Sequence, residues 1–165
     1  MASTNTSGHA ATAAAPSSLT SIGVGIDTAR YGHRVAFLRP DRQVAAPPLT
    51  VLENQQGYQD LRQRLEDLRR RHPQAHFQIR IDAAGQYATN LERFLRGLDV
   101  PMTLSIGEPK RNRDYQKAHF PKRTTDDTES QAMARFGVVE TPPATTAVPE
   151  EMGATAAPTS VFRVF

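Results

Sequence analysis

Residues 22 to 28 read Ile-Gly-Val-Gly-Ile-Asp-Thr, with Ile22, Val24 and Ile26 alternating against Gly23, Gly25 and Asp27. A period of two marks a strand with one buried face, and glycines on the other face admit a second backbone at close range. The strand delivers a carboxylate, Asp27, at its end. Such an acid can begin a Mg²⁺ site, because that ion takes hard oxygen ligands and usually only one or two carboxylates from the protein. It can equally open a turn, since Asp27, Thr28 and the following Gly32 are ordinary turn residues. The choice depends on whether other acids join it.

Working outward, a second alternating run places Val35 and Phe37 on one side and Arg34, Ala36 and Leu38 on the other. Pro40-Asp41-Arg42 reads as a turn. A third run, Gln43 to Leu52, contains Pro47-Pro48, which cannot donate to a ladder and so belongs at a sheet edge. These runs predict an antiparallel three-stranded meander. Asn54 can cap a helix in which Tyr58, Leu61, Leu65 and Leu68 recur at helical spacing, up to Pro73. Its other faces carry Arg62, Arg64, Glu66, Asp67 and Arg69 to Arg71, a solvated charge pattern.

His76 to Asp82 alternates again, with Phe77, Ile79 and Ile81 inward and Asp82 at the end. After Gly85, a stripe of Tyr87, Leu91, Phe94, Leu95 and Leu98 predicts a helix closing near Gly97, and Pro101 to Ile106 a fifth strand. Strand–helix–strand crossovers imply parallel pairing, so the fold class is α/β with a mixed sheet. A last helix is expected from Thr125 to Phe136, ended by Gly137.

At 165 residues the chain is about one domain long. Its composition predicts a disordered leader over 1–20, a folded domain over 21–138, and a Pro-, Thr- and Ala-rich low-complexity tail over 139–165. The absence of Cys rules out a disulfide framework and a thiolate metal site, and fits a cytoplasmic protein. The N-terminus has neither a basic start nor an apolar core, so no secretory signal is expected, and no run approaches the roughly 18 apolar residues of a membrane helix. A net charge of +3 is too small to argue for nucleic acid by itself. The distribution of charge says more. Between Pro109 and Arg123, Lys110, Arg111, Arg113, Lys117, Lys122 and Arg123 stand against Asp114 alone, with Tyr115 and Phe120 among them. Such a cluster can neutralise phosphates while aromatics stack on bases; a solvated loop is the plainer alternative.

Acids now stand at the ends of several elements: Asp27, Asp82, and Asp126 with Glu129 at the start of the last helix. Residues three apart share a helix face, so Asp126 and Glu129 can address one point, although the same spacing is close to that of a capping box.

Gly25-Ile26-Asp27, Asp82-Ala-Ala-Gly85-Gln-Tyr87 and Lys122-Arg-Thr-Thr-Asp126-Asp-Thr-Glu129-Ser-Gln-Ala-Met-Ala resemble the three acidic motifs of DEDD-type insertion-sequence transposases. That family includes the pilin-gene inverting and bridge-RNA-guided recombinases. The resemblance runs from about residue 22 to residue 138. It implies a ribonuclease H-like (RuvC-like) mixed five-stranded sheet with three antiparallel N-terminal strands and flanking helices. It assigns catalysis and Mg²⁺ or Mn²⁺ coordination to Asp27, Asp82, Asp126 and Glu129, where the family usually has Glu at the second position and Asp at the fourth. It further implies DNA as partner, a structured guide RNA in the guided branch, and a homo-oligomer for the full-length member. Family members carry a serine-bearing C-terminal domain. Neither Ser130 nor Ser160 matches it, so the chain reads as a truncated member: a transposase catalytic domain or an inactive nucleic-acid-binding remnant. Gly25-Ile-Asp-Thr28 before a hairpin also resembles the first phosphate loop of actin-like kinases, but the glycine clusters of their other loops are missing.

Overall fold

The structure is a computed structural model describing residues 19 to 82, 85 to 120 and 126 to 146. Its elements are β1 (Ser21–Asp27), β2 (Gly32–Leu38), β3 (Val44–Leu52), α1 (Gln55–Arg71), β4 (His76–Asp82), α2 (Gly85–Arg96), β5 (Met102–Gly107), α3 (Pro109–His119) and α4 (Asp126–Arg135). The five strands form one mixed sheet in the order β3-β2-β1-β4-β5. Strands β1, β2 and β3 make the antiparallel meander expected from the alternation, while β1–β4 and β4–β5 are parallel.

Strand β3 lies at the edge, as its prolines require. The ladder shifts register between Val35↔Leu49 and Phe37↔Ala46, so Pro47 and Pro48 fall in the irregularity, where no donor is needed. On one face, Ile22, Val24, Ile26, Val35, Phe37, Phe77, Ile79 and Ile81 pack against Leu61, Leu65 and Leu68 of α1 and Leu91 and Leu95 of α2. A fully buried leucine contributes on the order of 2 kcal/mol, so the three on α1 readily offset the roughly 1 kcal/mol cost of Gly57 within that helix. Gly57 is needed there. A Cβ would come within 2.0 Å of the Leu52 carbonyl oxygen, and the Gly57 N–H donates to the Asn54 side chain at 2.7 Å, closing the predicted cap.

The second face is built differently. Helix α4 lies directly on the backbone of β1: a Cβ on Gly25 would stand 2.0 Å from the Ser130 oxygen, and one on Gly23 2.3 Å from that of Ala134. The glycine positions of β1 thus admit a helix. Two local expectations change. Most of the basic segment is helix and not the plainer loop, since Pro109 at N1 starts α3, which runs to His119; Lys122 and Arg123 lie outside the described residues. The last helix does not end at Gly137 but continues as a π-helical turn over Phe136–Glu140. Gly137 stays inside this turn because a Cβ there would lie 2.9 Å from the Gln78 oxygen of β4.

Beyond it, Thr145 docks on β5, its N–H donating to the Leu104 carbonyl at 2.8 Å and its Oγ1 accepting from the Ile106 N–H at 2.9 Å. No helix among the described residues is long and apolar enough to cross a membrane.

Candidate functional site

Strands β1 and β4 run parallel as neighbours, with their register ending at Ile26↔Ile81. The next residue on each strand is an acid, so the topology brings Asp27 and Asp82 to the same sheet edge. Residue alternation puts both on the α4 face, opposite the apolar stripe of Ile26 and Ile81. The close seat of α4 on Gly25 then brings Glu129, the residue before Ser130, to the same place. Asp27, Asp82 and Glu129 line one cleft with Asn112, Arg113 and Gln116 of α3 and Met133 of α4. Its volume is about 80 Å³, room for a cation and a few waters.

The cleft is unfavourable for its own charges. Burial pushes the Asp82 carboxyl above the usual carboxylate range, and the negative Glu129 adds to the rise, while the Arg113 guanidinium opposes it. Asp82 Oδ1 is buried and has no hydrogen-bond partner among the described residues. An unmet buried acceptor costs on the order of 1–3 kcal/mol, and more when charged. A divalent cation or a proton would relieve it. Mg²⁺ suits such a donor set, being a hard cation that accepts one or two carboxylates and keeps several waters. Among the described residues, no group of three acidic, imidazole or thiol side chains is set to hold a metal ion. Asp126 opens α4, but its side chain lies outside the described residues, as do Lys122 and Arg123.

Behind the cleft lies a buried cation, Arg80, on the same face of β4 as Asp82. Its Nε donates to Asn112 Oδ1 and its Nη1 to Ser105 Oγ, both at 3.3 Å, and its guanidinium stacks 4.1 Å from the centre of the Phe136 ring. Gly107 leaves the space it needs, since a Cβ there would meet Nη2 at 2.2 Å. Burial, with a smaller contribution from Arg111, lowers its pKa to about 10, so it remains charged at neutral pH. Through Asn112, Arg80 anchors α3 to the sheet.

The basic residues of α3 separate by helix face. Arg113 reaches the acid cleft. Arg111 sits over the Phe136 ring, 5.2 Å from its centre. Lys110 pairs with Asp114 at 2.9 Å in full solvent exposure, an arrangement worth little in stability, and Lys117 is exposed.

A second polar constellation lies on the α1 and α2 face. His33 is fully buried; its Nδ1 accepts from the Ala29 N–H at 3.1 Å and its Nε2 meets Glu53 Oε1 at 2.6 Å. With Nδ1 an acceptor, Nε2 carries the proton. Tyr58 donates its hydroxyl to the same oxygen at 2.8 Å, and Asn90 Nδ2 donates to Glu53 Oε2 at 3.0 Å. Burial opposes the charge on Glu53, but the bonds from Asn90, His33 and Tyr58 outweigh it and hold this carboxyl below its usual range. Burial and the bond to Glu53 raise the Tyr58 hydroxyl well above the ordinary phenol value.

Neither Asn112, Gln116 and Met133 of the cleft nor His33, Glu53 and Asn90 stood out in the sequence. Signals existed for some of them. His33 continues the inward series of Val35 and Phe37, so a titratable ring was due on the core face. Once Pro109 starts a helix, Asn112, Arg113 and Gln116 share one face by spacing. Scanned against protein-family models the chain matches none, and no curated protein matches it.

Proposed function

We propose that this chain is the catalytic N-terminal domain of a DNA transposase or recombinase of the DEDD insertion-sequence type, with a ribonuclease H-like fold. Support comes from the strand order β3-β2-β1-β4-β5, which is consistent with that fold, and from the three motifs quoted above. One observation carries the reading: Asp82 presents to the cleft it shares with Asp27 and Glu129 a buried oxygen that has no hydrogen-bond partner among the described residues.

Asp27, Asp82 and Glu129, together with Asp126, would hold Mg²⁺ or Mn²⁺. Bound there, a pair of cations would clamp a phosphodiester, activating the attacking oxygen and stabilising the leaving one. The chain's own residues do the rest. Arg113 offers a guanidinium at the mouth of the cleft, suited to a phosphate oxygen. Gln116, largely buried beside it, has an amide with both donor and acceptor character for a sugar or water. Arg111, Lys117, Lys122 and Arg123 add sequence-independent attraction for DNA or a guide RNA. Met133, itself buried, adds an apolar side chain to the lining of the cleft.

A second reading has its own support. With no ready cluster of three ligands among the described residues, the fold could serve as a nucleic-acid-binding module without chemistry. The two separate in one experiment. Calorimetric titration with Mn²⁺ and incubation with duplex DNA are carried out on the wild type and on the Asp27→Asn/Asp126→Asn double variant. Metal uptake and strand cleavage that vanish in the variant support the enzyme; equal DNA binding by both proteins with no metal uptake by either selects the binding module.

A further inference from the structure

We propose that Glu53 is a brace that fixes the separation of Asp27 and Asp82 from behind the sheet, with His33 and Asn90 as its two arms. This rests on the reading of the acid cleft as a cation site. The first arm runs from Glu53 Oε1 to His33 Nε2–H, and from His33 Nδ1 to the Ala29 N–H in the turn that follows Asp27. The second runs from Glu53 Oε2 to Asn90 on α2, the helix that starts at Gly85, just past Asp82. One carboxylate therefore holds the chain downstream of both acids.

The connection is made across the sheet. His33 belongs to the α1 and α2 face, whereas Asp27 and Asp82 face α4. Thr28, in the turn itself, has a buried hydroxyl without a hydrogen-bond partner among the described residues. Glu53 is itself immobilised, standing between the end of β3 and the Asn54 cap of α1 and accepting the Tyr58 hydroxyl. Fixing the ring of His33 at Nε2 leaves Nδ1 as an acceptor aimed at the backbone, much as outer partners orient metal ligands elsewhere. Glu53, His33 and Asn90 are positioning residues; none touches the cleft.

The test uses the whole chain and Mn²⁺ as probe. Glu53→Gln keeps an acceptor for His33 and, after rotation of the Asn90 amide, a partner for α2. Glu53→Ala loses both arms, and His33→Gln keeps a group for Glu53 while losing the acceptor for Ala29. Removing outer partners of metal ligands typically weakens metal binding about 10- to 100-fold. That loss is expected for Glu53→Ala and His33→Gln, while Glu53→Gln, which keeps both arms, should bind Mn²⁺ as wild type does. Leu65→Ala, a core truncation on α1 that costs stability without touching the network, controls for general loosening and should bind Mn²⁺ as wild type does. Amide hydrogen exchange in the metal-free proteins gives a second readout. Ala29 should exchange faster in His33→Gln and Glu53→Ala, relative to the β1 core amides, and not in Leu65→Ala. Unchanged Mn²⁺ affinity in His33→Gln with metal-binding wild type overturns the brace alone. Should wild type take up no Mn²⁺, the cation reading falls, and the brace then stands or falls on Ala29 exchange and on the Asp27 and Asp82 amide shifts of the variants.

Discussion

Gly25→Ala is the sharpest perturbation of the acid cleft that leaves every acid in place. The added methyl would stand 2.0 Å from the Ser130 oxygen, 2.2 Å from the Ala134 nitrogen and 2.8 Å from the Met133 carbonyl carbon. All three are backbone atoms of α4, so no side chain can swing away. Real Cβ atoms do not approach closer than about 3.0 Å, and the helix must move off β1 by roughly 1 Å. Overpacking a tight interface costs about 1–3 kcal/mol, and contact with backbone puts this case at the upper end. For a domain of this size that corresponds to a fall in Tm of roughly 10 °C. Glu129 travels with the helix, and displacements of about 1 Å at a reacting centre cost on the order of 100-fold in rate. Gly57→Ala is the matched control: its methyl meets the Leu52 oxygen at the same 2.0 Å, but under α1, on the far face of the sheet. Thermal melts should show both variants destabilised, while Mn²⁺ calorimetry should show uptake lost in Gly25→Ala and kept in Gly57→Ala. A Gly25→Ala protein with wild-type Tm would refute the seating of α4 on β1, and equal loss of uptake in both variants would refute the claim that this seating sets the cleft.

Asp82→Asn removes a carboxyl whose pKa is raised in the folded state above its ordinary 3.8, so without metal the variant should be the more stable protein at neutral pH. The difference should be absent below pH 3.8 and grow as pH rises through the shifted value, a sign that melts across pH can check. The same variant should lose the stabilisation of about 2.7 kcal/mol that wild type gains at a hundredfold excess of Mn²⁺ over Kd. For Glu53 the sign reverses. Its lowered pKa means that the advantage of wild type over Glu53→Ala is present above pH 4.5 and is lost as pH falls through the folded value, measurable as converging Tm values. Arg113→Gln should weaken binding of unrelated DNA sequences to similar degrees and reduce the salt slope by about 1, whereas Lys110→Gln, whose ammonium already pairs with Asp114, should change both less in a filter-binding series.

The strands were legible because their signals are local. Ile22 to Ile26 and Phe77 to Ile81 each carry a clean period of two, and Pro47-Pro48 marks an edge by chemistry alone. The parallel neighbours followed from the intervening helices. The course of the backbone after Arg135 was not legible, because Gly137 is an ordinary helix-stop signal in sequence. Its actual reason, close approach to Gln78, depends on a strand nearly sixty residues earlier. His33 and Glu53 escaped for the same reason, being twenty residues apart and meaningful only once β2 and β3 are paired.

The basic segment shows how helix formation changes the meaning of a composition. As a run of sequence, Lys110, Arg111, Arg113 and Lys117 are four equal cations. Wound into α3 they face different ways, and their neighbours decide what each can do. Arg111 leans over Phe136, whose ring also meets Arg80, so its charge helps keep that aromatic wedge beside the sheet. Lys110 pairs with Asp114 at the exposed surface. Arg113 shares the cleft with Asp27, Asp82 and Glu129, where its guanidinium opposes the rise that burial and Glu129 impose on the Asp82 carboxyl. On the proposed function, the exposed part of α3 would attract a polyanion and Arg113 would aim it toward the acids, so substitution at Arg113 should alter both.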